Sequence, residues 1–326
     1  MAQRRSVLRA SLVAALLPVA RALADYPERP IRLMVPFAPG GNGDIMARLA
    51  APILSERLQQ PVVVENRGGG GGSLGAEAVV RARPDGYTLL WGANGPLVNS
   101  PLMLREPRYD ALRDLTPVGL MSLVPMALVM RSALPVRDLA ELVAFSKERP
   151  AGITIGTSGV GGANHIPLEL FKAATGANLV HVPYRGGGSG LPDLLSGTVD
   201  GMLTEFSTVL DLHRDGRVRV VGLAAPRRSP LVPEVQTFIE AGLAGFTAAT
   251  FNGLWAPAGT PEAVTARLQP ALAAVVDSPG VIAALTVRGA EPATAAQRGP
   301  EGARDFLANE IARTRQAMVL ADIRPE

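Results

Sequence analysis

A glycine-rich loop follows a short apolar run and opens an amphipathic stretch at four places along this chain. The four loops are residues 39–44, 68–72, 158–164 and 185–190. Glycine lets a backbone bend sharply and lets a ligand approach it closely. The first N–H groups of a helix have no intrahelical partner and carry partial positive charge. Each unit therefore predicts an anion site built from backbone amides, and in an open α/β sheet such loops gather at the carboxyl ends of the strands.

Short apolar runs alternate with amphipathic stretches over most of the chain, which predicts an α/β protein long enough for two ordinary domains. The predicted strands are residues 31–37, 61–65, 87–91, 124–130, 153–157, 179–182, 199–203 and 218–224. The predicted helices are residues 45–58, 73–83, 136–148, 165–175, 190–196, 261–276 and 304–318.

The first 24 residues have the pattern of an export signal. Positive charges at the start precede an apolar run at residues 11–20, which is too short to span a bilayer. A small-x-small site at residues 22–24 predicts cleavage after Ala24 and a mature protein in the periplasm. The adjacent arginines at residues 4 and 5 also resemble a twin-arginine signal, so the twin-arginine and Sec routes both stay open.

Charge and composition exclude several kinds of partner. The chain has 32 basic and 29 acidic residues, but four of the basic residues are arginines of the first 24 residues, which contain no acid. The mature chain therefore has 28 basic against 29 acidic residues, a net charge of −1, which indicates no nucleic-acid partner. It has no cysteine, and three histidines scattered at positions 165, 181 and 213 provide few ligands for zinc. We expect no metal and no cofactor.

Two enzyme-like patterns are weak. The dinucleotide-binding pattern G-x-G-x-x-G at residues 70–75 overlaps a run of five glycines, where chance matches are frequent and a plain flexible loop is an alternative. Ser158 with His165 would give a secreted hydrolase, but residues 156–159 do not match the G-x-S-x-G nucleophile elbow and no acidic partner is evident. The hydrolase stays an alternative that turnover of an ester or amide would reveal.

Seven segments spread over the mature chain resemble one known family. They are YPERPIR at residues 26–32, VPFAPGG at 35–41, QPVVVENR at 60–67, PDGYTLL at 84–90, SGVG at 158–161, HVPYRG at 181–186 and APAGTP at 256–261. Together and in this order they resemble the substrate-binding proteins of tripartite tricarboxylate transporters, the Bug receptor family. Each segment alone is weak, whereas seven in one order are specific.

The resemblance implies an α/β type II periplasmic-binding-protein fold, with two lobes joined by a two-strand hinge. Residues 25–126 and 224–326 would form lobe 1, residues 127–223 would form lobe 2, and the chain would cross near 124–128 and 222–225. The family is not enzymatic. Its members bind a small carboxylate, such as a di- or tricarboxylate or an aromatic or other organic acid. They deliver it to membrane transporter subunits or act as ligand sensors for a membrane kinase, and we expect a monomer.

Matching motifs carry the family's ligand-binding positions onto this chain. In lobe 1 these are Phe37, Ala38, Gly40, Gly41, Asp44 and Asn94, and in lobe 2 they are Thr157, Ser158, Gly161, His165, Tyr184, Arg185 and Gly186. Their backbone amides and hydroxyls would hold one carboxylate, often through ordered water. We expect Asp44 to cap its helix or orient its loop. We expect Arg185 either to bind the far end of the ligand or to brace its loop.

Three positions depart from the family pattern. Thr204, which we also expect at the ligand, stands where the family commonly has an acid, and Glu205 stands where it has an amide or a small residue. In receptors for amino acids such an acid can contact the ammonium group, so Thr204 disfavours an amino-acid ligand unless Glu205 substitutes. Asn252 replaces a typical aromatic residue, which leaves the size and polarity of the pocket open.

Overall fold

The computed structural model describes residues 26–325, and the predicted export signal lies outside them. The strands of this part are β1 (Ile31–Val35), β2 (Val62–Asn66), β3 (Thr88–Gly92), β4 (Leu115–Arg131), β5 (Ile153–Thr157), β6 (Leu179–Pro183), β7 (Gly201–Glu205), β8 (Val218–Leu223), β9 (Ala249–Pro257) and β10 (Glu291–Pro292). Its helices are α1 (Asn42–Leu58), α2 (Ser73–Val80), α3 (Ser100–Met103), α4 (Ala111–Asp114), α5 (Leu139–Lys147), α6 (His165–Thr175), α7 (Gly187–Ser196), α8 (Phe206–Arg214), α9 (Glu262–Asp277), α10 (Pro279–Thr286) and α11 (Pro300–Leu320). The predicted α/β class is confirmed.

One sheet is built from β2, β1, β3, β9 and the first part of β4, in that order. Strand β1 is parallel to β2 and β3, whereas β9 is antiparallel to β3 and β4. Helices α1 and α9 cover one face around the fully buried Trp91. Helices α2 and α11 cover the other face around Trp255. Since both faces are covered, the central strands β3 and β9 are buried along almost their whole length, whereas the edge strand β2 alternates between more and less buried residues.

A second sheet is built from β6, β5, β7 and the last part of β4, with β8 pairing to β4 as well. Strand β5 is parallel to β6 and β7, whereas β4 is antiparallel to β7 and β8. The rings of Phe171 and Phe238 meet at 5.4 Å in the core on one face, and Phe206 lies in the core on the other. Two sheets with separate cores give the two lobes of the predicted fold.

Strand β4 belongs to both sheets. Its residues 115–125 pair with β9, and its residues 126–131 pair with β7 and β8. The chain returns at β9, because Met126 N donates to Ala248 O at 2.9 Å and Phe238 still lies in the core of the second sheet. These contacts put the return near residue 248, later than the crossing predicted at 222–225. We therefore propose that lobe 2 extends to residue 248 rather than to residue 223.

None of the helices within residues 26–325 is by itself long and apolar enough to cross a membrane. Helices α9 and α10 pass that test only as a pair, bent by 58° at their junction. Helix α9 packs Val264, Leu268 and Leu272 into the core of the first sheet, as a core helix does.

Candidate functional site

The four glycine loops meet where the two lobes face each other, and we call this region the cleft. Ala38 N, after β1, donates a 3.1 Å hydrogen bond to Arg185 O, before α7. Ser100 Oγ donates to Gly70 O at 2.9 Å and to Gly161 O at 3.1 Å, and so joins the loop before α2 to the loop before α6. Both pairs of loops are thus in contact, and the lobes are closed on each other.

Bare backbone allows this close approach. A Cβ on Gly188 would lie 2.6 Å from both Gly41 N and Pro39 O on the opposite lobe. A Cβ on Gly71 would lie 2.5 Å from the carbonyl carbon of Gly161. Carbon atoms in van der Waals contact are about 3.5 Å apart or more. A side chain at either position is therefore incompatible with the closed lobes.

Asp44 braces the loop after β1. Its carboxylate accepts 3.0 Å bonds from Gly40 N and Asn66 Nδ2, and a 2.9 Å bond from Arg48 Nε. Asn66 Nδ2 also donates to Phe37 O at 3.1 Å. Burial raises the pKa of Asp44, but the bonds from Arg48, Gly40 and Asn66 outweigh burial, so the pKa lies below its ordinary value. Asp44 thus holds the loop in place as an ionised carboxylate.

Several backbone N–H groups of the loop before α6 donate hydrogen bonds to side chains of the same segment. Ser158 N donates to Asn164 Oδ1 at 2.8 Å, Gly159 N to Thr157 Oγ1 at 3.2 Å, and Gly161 N to His165 Nδ1 at 3.3 Å. These side chains belong to the same segment, so the loop is held in shape from within. It consequently offers a ligand fewer amide donors than its sequence indicates, and ligand contact by these residues stays a prediction.

Ser158 has the surroundings of a structural hydroxyl. Its Oγ donates a 2.7 Å bond to Asn164 Oδ1, a carboxamide oxygen that is far too weak a base to activate it. His165 Nδ1 accepts from Gly161 N. This geometry disfavours the hydrolase built on Ser158 and His165.

His165 and His181 are adjacent rather than scattered, which corrects that expectation for this pair. Their rings stack with centroids 4.2 Å apart, and His181 Nε2 bonds to Thr157 Oγ1 at 2.6 Å. Burial, with the nearby His165, lowers the pKa of His181 to about 4. Glu169 completes a group whose ligand atoms lie within 4.8 Å of one another and could hold a metal ion. Lys172 Nζ, however, lies 2.8 Å from a Glu169 oxygen and already balances its charge.

The loop before α7 contacts the opposite lobe through its backbone. Arg185 is exposed, and it is its carbonyl that accepts the bond from Ala38 N. Tyr184 Oη donates a 2.6 Å bond to Asp193 Oδ2 in α7, and burial together with this bond raises the pKa of Tyr184. Gly186 has φ +131°, and a Cβ there would lie 3.0 Å from Ala38 N. Both expectations for the Arg185 side chain, ligand binding and bracing of its loop, stay predictions.

A line of polar side chains crosses the floor of the cleft. Ser207 Oγ donates to Asn42 Oδ1 at 3.0 Å, Asn42 Nδ2 to Asn252 Oδ1 at 3.3 Å, and Asn252 Nδ2 to Ser122 Oγ at 3.4 Å. These residues lie on α8, α1, β9 and β4, so the line connects the two lobes. Sequence reasoning singled out only Asn252. Ser122, Asn42 and Ser207 were missed, although a polar residue within an apolar strand was a usable signal for Ser122.

Thr204 and Glu205 end β7 at the same floor. Glu205 is 6% exposed, and its carboxyl accepts bonds from Thr250 Oγ1 at 3.1 Å and Thr204 Oγ1 at 3.2 Å. Burial raises the pKa of Glu205. Asn94 is engaged within lobe 1, where its Oδ1 accepts from Phe251 N at 2.9 Å. Ligand contact by Thr204 and Asn94 stays a prediction.

Comparison with known proteins agrees with this architecture. A family model described as the tripartite tricarboxylate transporter family receptor matches residues 46–319. The chain belongs to this family. The receptor is 36% identical over 289 residues to protein BugT of Bordetella pertussis, covering 88% of each chain.

Two solved structures extend the comparison. The periplasmic binding protein BugD superposes with a TM-score of 0.89 at 32% identity, over 92% of the receptor and 100% of BugD. MatC from Rhodopseudomonas palustris, solved with bound malate, gives 0.86 at 33% identity, over 90% and 99% of the two chains. The type II periplasmic-binding fold and the Bug-family resemblance are thus confirmed. The receptor is a solute-binding protein, and its family is not enzymatic.

Proposed function

We propose that this receptor captures a small organic carboxylate between its lobes and closes over it. The observation that carries the proposal is the contact of Gly41 with Gly188, which brings the N-termini of α1 and α7 together across the cleft. Helix N-termini attract anions through their unpaired N–H groups and the helix dipole. Closure of two lobes about a hinge would keep water from the ligand. The malate bound by MatC belongs to this chemical class.

We place the carboxylate between the α1 and α7 termini rather than at α6. In the loop before α6, the backbone N–H groups of Ser158 and Gly161 already donate hydrogen bonds to side chains of the same segment. Near α1, the negative charge of Asp44 is balanced by Arg48 at 2.9 Å, so it does not oppose an incoming anion strongly. Backbone groups of Phe37 to Gly41 and of Gly186 would then surround the ligand.

A ligand screen tests this function. The mature chain is heated with organic acids of increasing size, including malate and aromatic acids, and with sugars and divalent metals as controls. A carboxylate that binds the folded state raises the melting temperature by mass action, about 2.7 kcal/mol of stabilisation at 100 times its Kd. Stabilisation by sugars or metals alone would contradict the proposal.

Delivery to membrane transporter subunits is the fate we propose for the captured ligand, with a ligand sensor for a membrane kinase as the second candidate. Both partners would need to recognise the closed, liganded form. Affinity capture of membrane proteins by the receptor, with and without its acid, separates the two by the identity of what is enriched. Capture of a kinase but no transporter subunit would favour sensing.

We also propose export to the periplasm, by a signal that is cleaved after Ala24. Replacement of the two arginines at residues 4 and 5 by lysines should abolish export if the route is twin-arginine. Unchanged export of this variant would assign the Sec route. Retention of the full-length precursor in both forms would contradict the cleavage.

A further inference from the structure

Two adjacent residues of lobe 1 bind three consecutive backbone carbonyls of lobe 2. Asn99 Nδ2 donates to Gly162 O at 2.8 Å and to Ala163 O at 3.1 Å. Ser100 Oγ donates to Gly161 O at 3.1 Å. The three acceptors belong to the loop before α6, and we call these three hydrogen bonds the 99–100 contact. Through this contact, the loop before α6 is attached to the opposite lobe as well as to its own.

The local structure of lobe 1 holds Asn99 in position. Residues Gly95–Asn99 form a π-helical turn, and Ser100 begins α3. Such turns carry one extra residue and occur frequently at functional sites. Leu97 and Val98 of the same turn are fully buried in the core of lobe 1. The side chain of Asn99 is therefore presented by a turn that is anchored in lobe 1.

The carboxamide of Asn99 is matched to its partners in the closed receptor. Asn99 is 3% exposed, and the two hydrogens of its amide group serve two carbonyls. Leaving such a buried donor without an acceptor is unfavourable, so the fit favours the closed arrangement. All the groups involved are polar and can bond to water once the lobes separate. Contacts of this kind are typical of interfaces between domains that move relative to each other.

We propose that Asn99, together with Ser100, is a positioning residue that holds the loop before α6 against lobe 1 in the closed receptor and thereby slows release of the ligand. The carboxylate is placed between the α1 and α7 termini, so Asn99 acts through the loop and not by touching the ligand. This inference rests on the proposed carboxylate function and goes beyond it, because it concerns retention of the ligand rather than its recognition. The rival arrangement is a permanent contact that stays formed when the lobes open.

Asn99→Asp keeps the shape of the side chain and replaces its two N–H donors by an oxygen. That oxygen would face the carbonyl oxygens of Gly162 and Ala163 in the closed receptor, whereas water would solvate it in the open one. Malate is the probe, with succinate and benzoate as alternatives if malate does not bind. Release of isotope-labelled acid into an excess of unlabelled acid should be roughly 10- to 100-fold faster than from the wild type, as expected for the loss of two hydrogen bonds.

The association rate separates retention from encounter. Calorimetry gives the Kd, and the Kd with the release rate gives the association rate, which should stay within about threefold of the wild type because closure follows encounter. Ligand-free Asn99→Asp should unfold in urea at the wild-type concentration, since its carboxylate is solvated in the open receptor. A permanent contact predicts the opposite pair of results, a lower ligand-free stability and an unchanged release rate.

Two further variants complete the experiment. Ser100→Ala removes the third bond of the 99–100 contact and should speed release by a smaller factor, about 2- to 10-fold. Asn178→Asp is the matched control, because Asn178 Nδ2 donates to Arg149 O at 2.7 Å within lobe 2. This control should keep the wild-type release rate. Circular dichroism verifies that each variant is folded.

Three outcomes overturn the inference. Release could be unchanged in both Asn99→Asp and Ser100→Ala, or the loss of affinity could come from slower association. In either case the acid still binds the wild type, so the carboxylate function stands and only the role of the 99–100 contact is refuted. If none of the three acids binds the wild type, the proposed function fails together with the inference.

Discussion

Gly188→Ala should prevent closure of the lobes without damaging either lobe. Gly188 lies in α7 with φ outside the left-handed region, so alanine fits the local backbone. The new Cβ would stand 2.6 Å from Gly41 N and from Pro39 O, about 1 Å short of ordinary contact. The lobes must then stay about 1 Å further apart at this point. The Ala38 N to Arg185 O distance would grow from 3.1 Å to beyond hydrogen-bonding range.

The expected loss is the cross-lobe hydrogen bond together with the dry contact around it, about 1.4–2.8 kcal/mol. This corresponds to a 10- to 100-fold weaker affinity for the acid that binds the wild type best. Stability should move the other way, because alanine in a helix is favoured over glycine by about 0.5–1 kcal/mol. Calorimetry measures the affinity, thermal unfolding the stability, and small-angle X-ray scattering the decrease in radius of gyration on ligand addition.

Gly280→Ala is the matched control for Gly188→Ala. Gly280 lies near the start of α10, and the nearest atom to its Cβ would be Ser278 Oγ at 3.8 Å. This variant should gain similar stability and keep the wild-type affinity. If Gly188→Ala bound the acid as tightly as the wild type, and contracted equally on binding, contact between these loops would not be part of the liganded state.

Two further predictions concern carboxyl groups of the cleft. Asp44→Asn should lower the free energy of unfolding by about 2 kcal/mol at pH 7. The pKa of Asp44 lies below its ordinary value in the folded protein. The stabilisation by its carboxylate is therefore complete at a pH above the ordinary value and is lost as the pH falls through the folded-state pKa. Urea unfolding should accordingly show a smaller difference in free energy of unfolding between wild type and variant at pH 3 than at pH 7. Glu205→Gln should raise the ligand-free stability by about 1–3 kcal/mol at pH 7.5. Because burial raises the pKa of Glu205, the wild type loses stability as the pH rises, and the advantage of the variant should disappear below about pH 4; an equal advantage at both pH values would contradict this cause.

Much of the fold could be predicted from the sequence wherever local pattern and tertiary structure agree. The strand at residues 153–157 and the helix at 165–175 have the predicted bounds. The prediction failed at β4, of which only residues 124–130 were recognised. Pro117 and Gly119 are normally breakers, yet β4 passes through them by shifting its register against β9 at this point. Helix α8 was missed because Phe206 follows β7 directly, with no turn residues between them.

The site was predictable only as a set of loops. Glycine position and helix starts indicated which segments lie at the cleft, since both signals are local. The bonds that define its chemistry join residues far apart in the chain, such as Asn42 with Asn252 and Glu205 with Thr250. A single sequence contains no signal for such pairs. The role of the Arg185 side chain was likewise open, because a loop arginine can bind a ligand or brace its own loop.

Glycine is required in the cleft for two different physical reasons, a left-handed backbone conformation or the close approach of the opposite lobe. Only the structure distinguishes the two. Gly161 has φ +69°, so its backbone conformation itself favours glycine, and a Cβ would also lie 2.9 Å from Ser100. Substitution there would disturb the fold of its loop as well as closure, and the two effects could not be told apart. Gly188 has an ordinary helical conformation and is restricted only by the opposite lobe. A loss of affinity at Gly188 therefore reports on the approach of the two lobes and not on the fold of its own loop, which makes Gly188 the better position for testing closure.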